Sequence, residues 1–354
     1  VYPRREYLMN AQTKMMLSTT DLFALQQAHS EVVDELLRPD NQRINVVGLG
    51  VGIKWKNNQP TGRPALMILV THKVEKHKLP KTSLLPLTLH GIDIDVLPIG
   101  NVSAKPGNSL TRTAPSSLTQ SIRPAQGGYS VGHSSITAGT IATCVYDQLP
   151  NGIGIPQKYY ILSNNHVLAA QNQACPGDPI LQPGPIDGGC LPFDTIATLS
   201  RFIPIDFEPL LPRCHHDNLV DAAIAQGQLH NLTPAIHWIG HVNGWLPREK
   251  VNVGMIVQKT GRTTGFTQGR ILSINATIDV TYSEGKLARF QDQIINTAMS
   301  AGGDSGSLLV TMIDNLPFAI GLLFASSPLT SIANQIQHVR SLLKVEISAN
   351  GSRA

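Results

Sequence analysis

The chain predicts a mainly β protein preceded by a small α+β unit, and three observations point that way. Charged residues make up only 15% of the 354 positions, against the ~25% of an average soluble protein. The 30 glycines and 24 prolines supply turns at short intervals, as many short strands require. Apolar residues recur mostly in short runs bounded by turn residues rather than at helical spacing. A length of 354 residues allows two or three domains, each with a sizeable core.

Taken in order, residues 1–19 read as a flexible arm. Thr20 and Asp21 cap a helix expected to reach Leu37, with Leu22, Leu25, Val32, Val33, Leu36 and Leu37 on its apolar face; Pro39 stops it. Ile44 to Lys54 and Pro64 to Thr71 read as strands joined by a polar turn at Asn57, Asn58 and Gly62. Gly91 to Leu97 alternates Ile92, Ile94 and Val96 with Asp93 and Asp95, a half-buried strand. Residues 20–100 thus form the small α+β N-terminal domain. Residues 101–126 are rich in Ser, Thr and Pro with little periodicity, hence a linker. The main body spans 127–354, with a terminal helix expected from Leu329 to Leu343.

No apolar run approaches the ~20 residues that cross a bilayer, and the first ten residues lack the apolar stretch of a signal peptide. The chain begins at Val1 rather than Met, which leaves a removed leader or a fragment open; the expected compartment is cytoplasmic. Cys144, Cys175, Cys190 and Cys214 show no CxxC spacing and are read as free thiols, a Cys175–Cys190 bridge being the competing reading. The net charge of +4 splits into +6 over residues 1–123 and −2 over the remainder. The basic run His72–Lys78 has no interleaved aromatic residue, so it is read as a solvated loop and no nucleic-acid partner is expected.

Ser300 to Leu308 read Ser-Ala-Gly-Gly-Asp-Ser-Gly-Ser-Leu. Glycines around Ser305 allow a tight turn and a close backbone approach, as an oxyanion site needs. The apolar run from Tyr159 leads through Ser-Asn-Asn to His166, and Asp221 sits in Leu-Val-Asp-Ala-Ala-Ile-Ala. A hydroxyl is a useful nucleophile only beside a base. His166 is the candidate base, Asp221 the candidate orienting acid, and Ser305 the candidate nucleophile. Singly, each residue is better explained by packing or a turn; the ordered set, separated by 55 and 84 residues, reverses that balance. Asp217 competes with Asp221, and Cys214-His215-His216-Asp217 also admits a metal reading, although adjacent histidines rarely converge on one ion. No metal and no cofactor is expected.

The order His, Asp, Ser resembles that of the chymotrypsin/trypsin-like serine peptidases. The resemblance covers roughly Gly127 to Val345 and is closest to the bacterial trypsin-like type, similar to plant narrow-leaf-type proteases. Gln182 to Gly189, Lys259 to Gly265 and Gly321 to Ser326 resemble recurring stretches of that group. It implies a chymotrypsin-like double Greek-key β-barrel, the first barrel from Gly127 to about Gln228 and the second from about Val251 to Val345. The triad would lie between them. It implies a serine endopeptidase acting on a protein or peptide substrate, with the N–H groups of Gly303 and Ser305 as oxyanion hole. Met299 would floor the primary pocket, favouring an apolar or small side chain. Phe324, Ala325 and Ser326 would form a wall strand able to pair with an extended substrate. In animal trypsins the residue matching Asp304 pairs with a newly cut N-terminus. Here Arg123 precedes Pro124 and no Ile-Val-Gly-Gly follows, so the chain is expected to fold directly into its active form. Arg262 either guards the cleft or supports a hairpin. The alternative to an enzyme is a catalytically silent trypsin-fold binding or scaffold protein. The N-terminal domain would supply any homo-oligomer or partner contact.

Overall fold

A computed structural model describes residues 15–37, 45–56, 59–104, 117–149 and 155–347. Most of the predicted arm, the turn at Asn57 and Asn58 and the middle of the predicted linker (105–116) lie outside the described residues.

The N-terminal unit consists of α1 (Thr19–Leu37), β1 (Val46–Lys56), β2 (Gln59–Val70), β3 (Thr88–Leu89) and β4 (Ile92–Pro98). The cap of α1 is Ser18 rather than Thr20. Its Oγ accepts the Asp21 N–H at 3.1 Å and donates to the Asp21 carboxylate at 2.6 Å, so one serine satisfies a first-turn donor and fixes the acid there. Leu25, Val32 and Leu36 form the buried stripe of α1 and pack on Leu49, Val51 and Ile53 of β1. The unbroken apolar run Ala65–Val70 in β2 follows from burial on both faces. Leu66, Ile68 and Val70 face the core under α1, while Ala65, Met67 and Leu69 face a second core containing Phe290 and Phe324.

The first half of the body carries β5 (Ala125–Gly127), β6 (Ser130–His133), β7 (Gly139–Thr140), β8 (Thr143–Asp147), β9 (Tyr159–Ser163), the single turn α2 (Asn165–Leu168), β10 (Pro179–Leu181), β11 (Thr195–Phe202), β12 (Ala223–Gly227) and β13 (Leu232–Ile236). The second half carries β14 (Ile256–Gly261), β15 (Gly265–Thr281), β16 (Leu287–Thr297), β17 (Leu308–Ile313), β18 (Leu316–Ser326), β19 (Thr330–Gln335), α3 (Ile336–Leu343) and β20 (Val345–Glu346).

The protein is mainly β, as predicted, and each half curls. In the second half β14-β17-β18-β19-β16-β15 form a continuous run, and the β14–β15 pairing closes it into a six-stranded barrel. In the first half the order β8-β9-β12-β11-β10-β6-β7 brings the end of the sheet back to its start, because two residues separate β7 from β8. Counting β6, β8, β9, β10, β11 and β12 as strands one to six, the hydrogen-bonded path is 2-3-6-5-4-1; β14 to β19 give the same path. Two copies of one Greek-key order therefore pack through Leu162, Ile224, Leu308, Val310 and Leu322, with Ile336, Val339 and Leu343 of α3 in the same core.

One expectation is corrected. The terminal helix begins at Ile336, not Leu329, because Thr330–Gln335 pairs with β16 on one side and β18 on the other. The N-terminal unit shares a sheet with the second half of the body. β1 pairs antiparallel with β15, so β1-β2-β4-β3 extend the second barrel's sheet to ten strands. The two described ends of the predicted linker belong to the fold as well: Ser103 bridges to Thr281 and Ser326, and Ala125–Gly127 forms β5.

Candidate active site

The three candidate residues come from strand ends. β9 stops at Ser163, and α2 immediately carries His166 into the space between the halves. Asp221 precedes β12, the neighbour of β9, so register alone brings it opposite the histidine: Ala223 pairs with Ser163. His166 Nδ1 lies 2.6 Å from Asp221 Oδ2, and the His166 N–H donates to Asp221 Oδ1 at 3.1 Å. Both side chains are fully buried. The exposed Asp217 makes no such contact; the acid beside His166 is Asp221.

Asp221 is held from three further directions. Tyr282 donates its hydroxyl to Oδ2 at 2.7 Å, the Asp221 N–H donates to Asn334 Oδ1 at 3.0 Å, and Asn164 Nδ2 donates to the Asp221 carbonyl at 2.7 Å. Burial, then the neighbouring carboxylate, pushes the Tyr282 phenol well above 10.0, so it stays a donor. The Tyr282 ring also meets the His166 imidazole edge-on at 5.9 Å. A carboxylate fixed in this way imposes one tautomer on the ring, with the proton on Nδ1 and a lone pair on Nε2. Nε2 is buried and has no hydrogen-bond partner among the described residues.

Ser305 opens the turn before β17. Its carbonyl accepts the Thr140 N–H at 2.8 Å, anchoring the loop of the second half to β7 of the first. Gly306 adopts φ +96°, and a Cβ there would meet Ser163 Oγ at 2.1 Å and the Thr140 carbonyl at 2.2 Å; only glycine lets the turn seat so close to β9. The Ser305 hydroxyl is nearly buried and donates to the Phe324 carbonyl at 3.4 Å, not to Nε2. Gly303 has φ +95°. Among the described residues, no acceptor takes the N–H of Gly303 or of Ser305, whereas those of Asp304, Gly306 and Ser307 are all used.

Asp304 points the other way, into a fully buried nest. Oδ1 accepts the N–H groups of Thr263 and Thr264 at 2.9 and 3.1 Å. Oδ2 accepts from Thr264 Oγ1 at 2.6 Å, Ala301 N at 3.0 Å and Lys259 Nζ at 3.2 Å. Burial lowers the Lys259 ammonium below its usual range, and Asp304 opposes that shift. Lys259 is thus the cation that faces the Asp304 carboxylate inside this buried nest. Its neighbour Arg262 pairs with Asp187, which also accepts from Ser130 Oγ at 2.5 Å. The guanidinium lies against the loop: a Cβ at Gly303 would come within 2.8 Å of it. Arg262 therefore joins Gln182–Gly189 to Lys259–Gly265 across the two halves, against the Gly303 turn. The sequence offered Arg262 only as cleft guard or hairpin support; Lys259 and Asp187 stood in stretches singled out by resemblance but without a role, and Tyr282 and Asn334 carried no local signal.

The expected pocket residues are largely packed away. Met299 belongs to the core shared with α1, its N–H bonded to Ser331 Oγ at 3.1 Å. Phe324 is fully buried against Phe290, ring centroids 4.7 Å apart, and Ala325 lies in the same cluster. Ser326 is half-buried, and its backbone pairs with Ser103. In the Cys-His-His-Asp segment both ring nitrogens of His216 are engaged, Nδ1 by the Arg289 N–H at 3.1 Å and Nε2 by the Leu211 carbonyl at 2.7 Å. All four cysteines are free, and burial pushes the Cys144 thiol up to about 12.

Comparison with known proteins gives three findings. The NARROW LEAF 1 N-terminal domain matches residues 17–97, the stretch from the cap of α1 through β4. No curated protein matches. Solved structures that resemble the chain are chymotrypsin-like serine proteases. Thermobifida fusca Protease A has 16% identity and a TM-score of 0.42, covering 64% of this chain and 98% of its own. A glutamic-acid-specific serine protease has 19% identity and a TM-score of 0.43, covering 63% and 100%. Cellulomonas bogoriensis chymotrypsin has 18% identity and a TM-score of 0.41, covering 64% and 98%. At such values the chemistry rests on this chain's own side chains. No helix among the described residues is long and apolar enough to cross a membrane.

Proposed function

We propose that this chain is a serine endopeptidase that hydrolyses peptide bonds through an acyl-enzyme on Ser305. The observation that carries the reading is the buried His166–Asp221 pair at 2.6 Å, with Nε2 left unpartnered. The reading requires the Ser305 hydroxyl to leave the Phe324 carbonyl and bond to Nε2, and catalytic hydrogen bonds are often formed only once substrate binds. Ser305 Oγ then attacks the substrate carbonyl while Nε2 takes its proton. Asp221 stabilises the imidazolium without becoming protonated. The N–H groups of Gly303 and Ser305 receive the oxyanion, a contribution typically of about 100- to 1000-fold per donor. The proton passes from Nε2 to the leaving amine, and water repeats the sequence on the acyl-enzyme. The substrate is a protein or peptide, and the residues invoked need neither metal nor cofactor.

The silent-scaffold reading has one observation in its favour: the Ser305 hydroxyl is bonded to Phe324 and not to His166. A fluorophosphonate probe separates the two. An endopeptidase is labelled at Ser305, and labelling disappears in Ser305→Ala and in His166→Ala. A folded wild-type chain that resists the probe sinks the enzymatic reading.

A further inference from the structure

Ser326 ends the strand expected to pair with an extended substrate, and its backbone is already paired. The Ser103 N–H donates to the Ser326 carbonyl at 3.0 Å, and the Ser326 N–H donates to the Ser103 carbonyl at 3.0 Å, an antiparallel bridge. On its other edge the same segment bonds to β15. Ala104 N–H reaches the Thr281 carbonyl at 3.0 Å, and Thr281 N–H reaches the Val102 carbonyl at 3.2 Å. We propose that Val102–Ala104 is an internally bound strand that fills the substrate groove beside Ser305, so that the chain holds its own cleft closed. The proposal rests on the serine-peptidase reading and adds the regulation of that site.

Direction and burial support it. The Ile99 carbonyl accepts from Thr330 Oγ1 at 3.0 Å and from Ser327 Oγ, and Ser103 then lies beside Ser326. Because the pairing is antiparallel, the segment is directed along β18 toward Phe324, whose carbonyl holds the Ser305 hydroxyl. Two residues of strand separate Ser326 from Phe324, roughly 7 Å. Val102 and Ala104 are buried in the cluster that contains Phe324, Phe290 and Tyr282, and Tyr282 is the hydroxyl donor to Asp221. The occupant therefore bonds to the wall strand at Ser326 and to the end of β15 at Thr281, and shares a core with the support of the orienting acid. It is tethered at its start: the N–H groups of Ile99 and Gly100 donate to the carbonyls of Val70 and Thr71, so the position of the N-terminal unit fixes that of the strand.

A substrate that needs both backbone groups of Ser326 must displace Ser103 first. Its apparent affinity falls by the fraction of molecules in which the groove is open. A ligand that reaches only the scissile position needs neither group and escapes that penalty.

The test compares two substrates on the full chain: an acylated single-residue ester and an extended tetrapeptide amide. Ser103→Pro removes the donor to Ser326. Single-residue hydrolysis and fluorophosphonate labelling should stay within about twofold of wild type. The kcat/KM for the tetrapeptide should rise about tenfold, the effect of losing a main-chain hydrogen bond from the closed state. Val102→Ala, which loosens the strand's buried anchor without touching its hydrogen bonds, should raise it about threefold and decides the matter if the proline variant fails to fold. A tetrapeptide-to-ester ratio unchanged from wild type in a folded variant overturns the internal strand while leaving the peptidase intact. Absence of labelling and of ester hydrolysis in every folded variant overturns the peptidase reading, and this proposal with it.

Discussion

The Tyr282 hydroxyl and the Asn334 amide fix Asp221 from positions 61 and 113 residues away, and such partners cannot be seen in a linear reading. His166, Asp221 and Ser305 could be picked out because each sits in a short run whose local chemistry is unusual, glycine around a serine or an acid inside an apolar strand. Tyr282 makes a prediction with a definite sign. Its folded pKa lies above the unfolded 10.0, so its contribution is fully present below about pH 10 and is lost as pH rises through the folded value. Tyr282→Phe should therefore cost about 1.5–3 kcal/mol below pH 10, the range for a hydrogen bond to a charged group, and less at higher pH. Urea midpoints of the two proteins measured across that range check it; parallel curves would show that the hydroxyl is not tied to a carboxylate. Lys259 makes a second prediction. Lys259→Met leaves the Asp304 carboxylate buried without its cation, which costs about 3–5 kcal/mol when one partner of a buried pair is removed. Denaturant unfolding of Lys259→Met beside wild type measures this, and a loss under about 1 kcal/mol would mean that the Thr263, Thr264 and Ala301 donors suffice to hold the acid.

At the scale of elements, β15 does the most to connect the molecule. Its first six residues pair with β14 and close the barrel, while Ser273 to Ile278 pair with β1. The strands of the N-terminal unit were legible within two residues at β1 and β4, because one-sided alternation and glycine spacing survive there. β19 was not, since Thr-Ser-Ile-Ala-Asn-Gln has no period of its own and is a strand only because neighbours pair with it on both sides. The helix α1 was legible from its stripe, but its role was not: the stripe packs on Leu49, and the same core contains Val257, Leu309 and Ile320 of the second barrel. Leu36, 1% exposed, anchors that face. Leu36→Ala should cost about 2–5 kcal/mol, the price of an unfilled core site, and thermal unfolding followed by near-ultraviolet circular dichroism should show it in the signal of the whole chain. A loss confined to the helical far-ultraviolet signal would mean that α1 docks as an appendage.

At the scale of the whole molecule, the sequence suggested a separable domain joined by a linker, and the structure joins the same parts by a sheet and two cores. Composition could not reveal this, because a strand edge that pairs internally and one that lies bare carry the same residues. The consequence concerns cooperativity. A polypeptide lacking residues 1–100 would expose the edge of β15 that β1 covers and the apolar surfaces beneath α1 and β2. Such an edge is an aggregation template, so the truncated chain should not yield a folded body. The intact chain should unfold in one transition. The three tryptophans permit a direct check: Trp55 lies in β1, and Trp238 and Trp245 lie in the body. Fluorescence of a chain carrying only Trp55 and of one carrying only Trp245 should give coincident urea midpoints. If the Trp55 signal is lost first while Trp245 reports an intact body, the shared sheet is too weak to couple the parts. The strand at Ser103 would then have lost the platform that holds it in the groove.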